Sequence, residues 1–238
     1  MLSGFSSVLG DERARAARDT ADVTGIEPAY SGAKADLPLQ ELTYEVRWVR
    51  PGRLGSDIAE WFARFSHVSE VREDHYLVTP PMPGLSVKIR GGSSLDVKQR
   101  LGAVGALEVE GVGAAQISSW SKLSFLLADE VSPTPEEPAW RRVAKRRMIS
   151  TFPIGRLRRS ESVRSSACSV ELTEVEALDD TWWTLAFESR GRRDVRGIRR
   201  TAAMVFAEPL PVSPPLRAEE AQSYAEWIHR LSNAGGTT

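Results

Sequence analysis

The sequence predicts a mainly β protein of the α+β class, with an antiparallel eight-stranded β-barrel and a few covering helices. Short segments in which polar and apolar residues alternate recur along most of the chain, and each is long enough for one strand. Turn residues such as Pro, Gly and Asp separate these segments, and the chain shows no repeat of fixed length. Many short strands joined by turns are typical of a sheet that closes into a barrel.

The folded domain is predicted to span residues 39–238, because residues 1–38 lack a periodic apolar pattern and resemble a flexible tail. A first strand over 44–49 ends at a Pro-Gly turn, and apolar side chains at helical spacing then predict a helix over 57–65. Further strands are predicted over 74–79, 86–90, 95–101, 107–112, 120–127, 140–151, 167–178 and 181–189, and a second helix over 218–231.

The composition narrows the class of protein. The 238 residues carry 31 Lys and Arg against 32 Asp and Glu, and 41% of them are hydrophobic, which is typical of a globular chain. No apolar run reaches the roughly 20 residues that span a bilayer, and the N-terminus lacks the features of a secretory signal. A single cysteine, Cys168, excludes an internal disulfide. We therefore expect a cytoplasmic enzyme or binding protein with no membrane partner.

Charged residues recur at positions i and i+2 in five of the predicted strands. Both members of such a pair lie on the same face of a sheet. Either these faces form the solvated outside of the sheet, or they converge inside a wide barrel whose apolar outer face is covered by helices. In the second case the interior would hold a multiply charged anion, with carboxylates binding a divalent cation. The pairs are Glu45/Arg47, Lys88/Arg90, Lys98/Arg100, Glu108/Glu110 and Lys145/Arg147.

These charged segments follow one another in a specific order between about residues 41 and 231. The segments are Glu45-Val46-Arg47, a helix, Asp74-His75-Tyr76, Lys88-Ile89-Arg90, Leu95-Asp96-Val97-Lys98, Glu108-Val109-Glu110, Lys145-Arg146-Arg147, Val170-Glu171-Leu172, Leu185-Ala186-Phe187-Glu188 and Ser223-Tyr224. This order resembles the CYTH family, which contains class IV adenylate cyclases and thiamine triphosphatases and is also called the triphosphate tunnel metalloenzymes.

The resemblance implies a β-tunnel in which an inorganic or organic triphosphate, or polyphosphate, is bound and hydrolysed with Mg²⁺ or Mn²⁺. Several fixed cations suit such an anion, and Arg binds phosphate oxygens in a bidentate manner. The implied substrate-binding residues are Arg47, Lys88, Arg90, Lys98, Lys145 and Arg147. The implied metal ligands are Glu45, Glu110, Glu171 and Glu188, and the implied catalytic residues are Glu188, Glu171 and Lys98.

The acidic half of this pattern departs from the family. Thr43 and Ala186 stand where the family has carboxylates, and Glu108 is a spare acid. Each missing carboxylate removes a ligand and a negative charge from a divalent site. We therefore expect anion binding to be retained better than hydrolysis.

A non-catalytic anion- or nucleic-acid-binding module is the alternative. Residues 141–164 hold nine Lys and Arg with one acid, and residues 190–200 hold six Arg with one Asp, a density that suits a phosphate backbone. Aromatic residues are not interleaved with these arginines, so the sequence favours a pair of solvated basic loops over a nucleic-acid site. A nucleotide cyclase is a weaker alternative, because the family includes that reaction.

Overall fold

The computed structural model describes residues 39–78, 84–109, 113–133, 139–154, 167–190 and 195–234. The predicted tail and Glu110 lie outside these residues. None of the helices within the described ranges is long and apolar enough to cross a membrane. The helices are α1 (Ser56–Ala63), α2 (Val195–Val205) and α3 (Tyr224–Ala234), with a short 3-10 helix over Ala218–Glu220. The strands are β1 (Leu39–Pro51), β2 (Val68–Leu77), β3 (Leu85–Arg90), β4 (Ser94–Val109), β5 (Gly113–Leu126), β6 (Trp140–Pro153), β7 (Ala167–Ala177) and β8 (Asp180–Arg190).

The eight strands form one closed antiparallel barrel in the order β1-β5-β4-β3-β2-β6-β7-β8, and β8 pairs back with β1. The predicted mainly β class and eight-stranded barrel are confirmed. In the register of this sheet, Glu45 of β1 lies opposite Ser118 of β5 on one side and Glu188 of β8 on the other. Because side chains alternate between the two faces of a strand, this register decides which residues face the lumen.

The apolar face of the barrel points outward and is covered by helices. Val46 and Trp48 of β1 are buried together with Phe62 of α1 and with Ile198 and Ala202 of α2. The main hydrophobic core therefore lies between the barrel wall and the helices. Since neighbouring residues on a strand face opposite ways, the charged residues between these apolar positions face the lumen.

Helix α3 closes one end of the barrel. Its Trp227 and Ile228 are almost completely buried in a second hydrophobic cluster with Val49, Val143 and Val175. Full burial of a large apolar side chain contributes about 1.5–3 kcal/mol, so these contacts hold the helix firmly in place. The three valines lie on the lumen-facing positions of their strands, so the helix fills the lumen at this end and leaves the charged part of the lumen above it.

Two elements differ from the sequence prediction. Residues 107–112 were predicted as a separate strand, but 107–109 continue β4, which runs through register shifts beside Gly102 and Gly105. Both glycines have φ near +150°, which other residues rarely adopt. The second difference is α2, which lies in a segment that the sequence analysis treated as a solvated basic loop. Its buried positions recur at helical spacing among arginines, and that spacing was the overlooked signal.

Candidate functional site

The barrel lumen encloses a cavity of about 320 Å³ lined by nine basic side chains and four carboxylates. Three of the five charge pairs converge on this cavity, as the inward-facing interpretation expected, and Lys98 of a fourth pair joins them. Its partner Arg100 is directed instead at Glu226 and Gln116. All six residues predicted to bind substrate line this cavity: Arg47, Lys88, Arg90, Lys98, Lys145 and Arg147. Three further basic residues that line it were not among the predicted site residues: Arg72, Lys122 and Arg190.

Only some of the predicted acidic residues line the cavity. Glu45, Glu171 and Glu188, three of the four predicted metal ligands, line the cavity, while Glu110 lies outside the described residues. Asp96 is the fourth lining carboxylate. Glu108, the spare acid, is exposed near the end of β4 and is not part of the lining.

Arg47 lies at the centre of the deep part of the cavity. Its Nε donates to Glu45 Oε1 at 2.9 Å, and its Nη1 donates to Thr184 Oγ1 at 3.1 Å and to Glu171 Oε1 at 3.4 Å. The guanidinium carbon lies 4.2 Å from the centre of the Tyr224 ring, which belongs to the first turn of α3. These contacts fix the guanidinium between two strands and the helix that closes the barrel.

The carboxylates on either side of Arg47 are strongly held in their charged form. Burial alone would raise the pKa of Glu45, but Lys98 and Arg47 lower it to about 2. Burial would likewise raise the pKa of Glu171, yet Arg47 and Arg147 hold it well below its ordinary value. Thr173 also donates to Glu171, at 2.8 Å. Both glutamates are therefore anionic at neutral pH.

Asp74 organises the second half of the basic set from a buried position on the lumen face of β2, between the lining residues Arg72 and Tyr76. This carboxylate is fully buried and is contacted by Lys145 at 2.7 Å, Lys88 at 2.8 Å and Arg72 at 2.9 Å. Lys145 also donates to Tyr76 Oη at 2.7 Å. The three cations offset the cost of burying Asp74 and hold the pKa of its carboxyl far below its usual range.

The two lysines beside Asp74 are easier to deprotonate than ordinary lysines. Burial lowers the pKa of Lys88 to about 8, with the charges of Arg90 and Arg72 acting in the same direction and Asp74 opposing them. Burial also lowers the pKa of Lys145 well below its ordinary value, and Lys88 and Arg72 add to this effect. One carboxylate therefore does not compensate this group of cations, and a further anion in the lumen would stabilise their charged forms.

Exposure increases along the lumen away from α3. The side chains of Lys145 and Arg47 are 2% and 6% exposed, whereas those of Arg90 and Arg190 are 32% and 41% exposed. Arg90 pairs with the buried Asp96 at the more exposed end. The end opposite α3 is therefore the mouth of the cavity, and the most tightly enclosed cations lie at its floor.

The donor set for a divalent cation is small. No three carboxylate, imidazole or thiol side chains in the described ranges are grouped so that they could hold a metal ion by themselves. Glu45 and Glu188, however, are register partners, and an Oε2 atom of each is directed at Lys98 Nζ, at 3.4 Å for Glu188. Mg²⁺ in proteins is commonly bound by one or two carboxylates together with substrate phosphates and water. This pair fits such an arrangement if phosphate oxygens complete it.

Several site residues had no clear signal in the sequence. Asp74 and Tyr76 were noted only as a motif, and Lys122 matched no pattern, although it lies opposite Lys98 in the register of β4 and β5. Tyr224 reaches the site through α3, so strand alternation could not identify it. Ser223, Tyr224 and Ala225 line the cavity, which directs the N-terminal end of α3 toward the lumen. The helix dipole adds partial positive charge at this end.

Among known proteins, only solved structures are similar to this chain, and the similarity is one of fold. No family model matches the chain, and none of the curated proteins matches it. A solved structure of a Pyrococcus horikoshii OT3 protein is 15% identical, with 79% of this chain and 99% of that chain covered and a TM-score of 0.43. A putative adenylyl cyclase from Hippeastrum, described as having dominant triphosphatase activity, is 10% identical, with 83% and 97% covered and a TM-score of 0.41. The RNA triphosphatase domain of a mimivirus mRNA capping enzyme is 13% identical, with 75% and 90% covered and a TM-score of 0.39. At these identities and TM-scores, the likeness to the three structures concerns the fold alone.

Proposed function

We propose that the lumen binds a triphosphate-type anion, inorganic or organic, and hydrolyses its terminal phosphoanhydride bond with the help of Mg²⁺ or Mn²⁺. The observation that carries this proposal is the excess of nine basic over four acidic side chains around one enclosed cavity. Some carboxylates are shared among these cations, since Asp74 pairs with three of them and Asp96 with two. Burying cations with incomplete counter-charge is costly, and a polyanion supplies several negative charges along one chain. The N-terminal end of α3 favours negative charge at the same place.

The basic residues would bind the phosphates from several sides of the lumen. Arg47 and Arg147 offer planar groups that can bind phosphate oxygens in a bidentate manner, whereas Lys88, Lys98 and Lys145 act as point charges. Both arginines are already oriented by Glu171, so little side-chain entropy is lost when a phosphate arrives. Arg90 at the mouth would be the first of the predicted cations that an entering anion meets.

Hydrolysis requires attack by water on the terminal phosphorus. A bond forms between the water oxygen and phosphorus, the phosphoanhydride bond breaks, and the electron pair leaves with the departing phosphate chain. Lys98, which lines the cavity beside Glu45 and Glu188, can neutralise charge on that leaving group. Glu188 is the lining glutamate with the longest ion-pair contacts, 3.4 Å to Lys98 and 3.8 Å to Arg190, so it is free to accept the proton of the water and pass it to solvent.

Glu45 and Glu188 are the residues that would hold a divalent cation together with phosphate oxygens. Such an ion would supply charge neutralisation on the phosphates and help to orient the attacking water. Glu171 is held by Arg47, Arg147 and Thr173, which favours a role in positioning the two arginines over direct metal binding.

The test is a panel of tripolyphosphate, thiamine triphosphate and ATP with Mg²⁺ or Mn²⁺. We expect phosphate release from at least one compound, and a rise in the melting temperature that grows with ligand concentration. The proposal is wrong if none of the three raises the melting temperature. An inactive control that retains the fold is Glu188→Gln, for which we expect binding without phosphate release.

Binding without hydrolysis is the second candidate, and the reduced acidic set favours it. Ala186, which lines the cavity, and Thr43, which is fully buried on the same strand as Glu45, leave fewer carboxylates for a metal ion. A rise in melting temperature with no phosphate release from any compound would support this candidate. Nucleic acid is less well supported, because the outward-facing Arg142 and Arg146 are paired with Glu73 and Glu174.

A further inference from the structure

Lys98 links the two carboxylates that a divalent cation would use. It is a residue of β4, and its side chain extends past the intervening strand β5 to Glu45 of β1 and Glu188 of β8. Its ammonium group contacts Oε2 of both glutamates. The two glutamates are directly opposite each other in the sheet, an arrangement of like charges that is unfavourable unless a cation lies between them.

We propose that in the anion-free protein Lys98 occupies the cation position between Glu45 and Glu188, and that a divalent cation binds there only after a polyphosphate anion draws Lys98 away. This inference rests on the proposed function, because it takes polyphosphate as the anion. An ammonium group and a divalent cation cannot share one point between two carboxylates, so the two compete for it. A phosphate chain in the lumen offers the ammonium an alternative charge-assisted hydrogen bond.

The surroundings of the pair support this assignment. Glu45 keeps Arg47 as a second partner when Lys98 leaves, with Nε at 2.9 Å from Oε1. Glu188 keeps only the longer contact to Arg190, at 3.8 Å, among the ion pairs of the described residues. When Lys98 leaves, the negative charge of the two glutamates is therefore less well compensated, and the effect is larger at Glu188 than at Glu45. Anion binding and metal binding then strengthen each other, since coupling between two sites is reciprocal.

The experiment measures Mn²⁺ binding by electron paramagnetic resonance in a buffer free of phosphate. We expect the wild-type protein to bind Mn²⁺ weakly, and Lys98→Met to bind it at least about tenfold more tightly, because the competing charge is gone. Lys122→Met is the matched control. Lys122 faces Lys98 across β4 and β5 and has the same charge, but its carboxylate partner is Asp96. We expect a much smaller gain in Mn²⁺ affinity than in Lys98→Met, because Lys122 forms no ion pair with either glutamate and acts on Glu188 only at longer range.

A second readout is the melting temperature with Mn²⁺ alone, which we expect to rise for Lys98→Met and not for the wild-type protein. Adding Glu188→Gln to Lys98→Met should remove both the Mn²⁺ signal and this rise. If Lys98→Met does not fold, Lys98→Gln, which keeps a polar end group without a charge, serves in its place and is judged by the same outcomes.

Three results would overturn the inference: equal Mn²⁺ affinity in the wild-type protein and the folded Lys98 variant, an equal gain in the Lys98 and Lys122 variants, or a gain that survives Glu188→Gln. These results are separate from the proposed function, which fails if none of tripolyphosphate, thiamine triphosphate and ATP raises the melting temperature of the wild-type protein. If tripolyphosphate does so while Mn²⁺ also binds the anion-free wild-type protein tightly, only the role of Lys98 is wrong.

Discussion

Replacing Asp74 by Asn should destabilise the empty protein and strengthen its binding of polyphosphate. The carboxylate is fully buried and is the shared partner of Lys88, Lys145 and Arg72, at 2.7–2.9 Å. Removing one partner of a buried ion pair costs about 3–5 kcal/mol, because the remaining charges are left without compensation. At about 2–4 °C per kcal/mol for a chain of this size, the melting temperature should fall by about 6–20 °C.

The pH dependence gives a second check on this reasoning. In Asp74→Asn the destabilisation comes from protonated Lys88 and Lys145 that lack a counter-charge. Their pKa values are already lowered by burial, so the lysines lose their protons as the pH rises, and the cost of leaving them unpaired disappears. The difference in melting temperature between the wild-type protein and the variant should therefore be larger at pH 6 than at pH 9.

Thermal melting by circular dichroism, with and without tripolyphosphate, measures all of these effects. The anion should replace the missing carboxylate as counter-charge, so the gain in melting temperature should be larger for Asp74→Asn than for the wild-type protein. The matched control is Glu73→Gln, the preceding residue, which faces outward and pairs with the exposed Arg142. A surface pair of this kind contributes about 0–1 kcal/mol. Equal losses in the two variants, or a smaller gain with tripolyphosphate in Asp74→Asn, would refute the role assigned to Asp74.

Four further predictions follow from the site. Calorimetry with tripolyphosphate should show binding weakened about 10- to 100-fold in Arg147→Ala, because a hydrogen bond to a charged group contributes about 1.5–3 kcal/mol. The control Arg146→Ala removes an outward side chain that is 69% exposed, and it should leave the affinity unchanged. Glu188→Gln should abolish phosphate release and leave tripolyphosphate binding intact or tighter, and an unchanged rate would remove Glu188 from the mechanism. Affinity for tripolyphosphate should fall as the pH rises through about 8, where Lys88 loses its proton in the free protein. Lys88→Arg should move this fall in affinity to higher pH, and the same pH profile in both proteins would show that another group causes it. A chain that begins at Leu39 should melt within a few degrees of the full chain, and a large loss of stability would show that the domain begins earlier.

The strand alternation predicted much of the fold and many of the residues that line the lumen cavity. Pairs such as Lys88/Arg90 and Lys145/Arg147 were identifiable because two like charges at i and i+2 must share a face, and the lumen is where those faces meet. Asp74 was not assigned a role, because a single acid in a strand of mixed charges carries no period. Its importance depends on three cations from different strands or positions, which only the register of β2, β3 and β6 brings together.

The remaining misses have a similar physical origin. Helix α2 was not predicted, because the many arginines of the segment suggested a solvated loop. The spacing of Ile198, Ala202 and Val205, however, matches one face of a helix. Tyr224 enters the lumen from α3, and the sequence identified it only within the Ser223-Tyr224 segment, with no role, because strand alternation does not extend to a helix. A side chain that reaches the site from a distant element can be assigned to it only from the folded structure.

The position of α3 has a consequence for the order in which products leave. With Trp227 and Ile228 filling one end of the barrel, the exposed end near Arg90 and Arg190 is a passage between the lumen and solvent. A second, smaller cavity of about 170 Å³ adjoins Glu45 and Arg47 beside the start of α3. A ligand that enters at the exposed mouth places its leading group against Arg47 and Lys145, and the part that enters last must depart first. Under the proposed hydrolysis, the phosphate released at the floor can leave through this mouth only after the longer fragment has gone. Product release by that route would be sequential, and the longer product would compete with fresh substrate at the mouth.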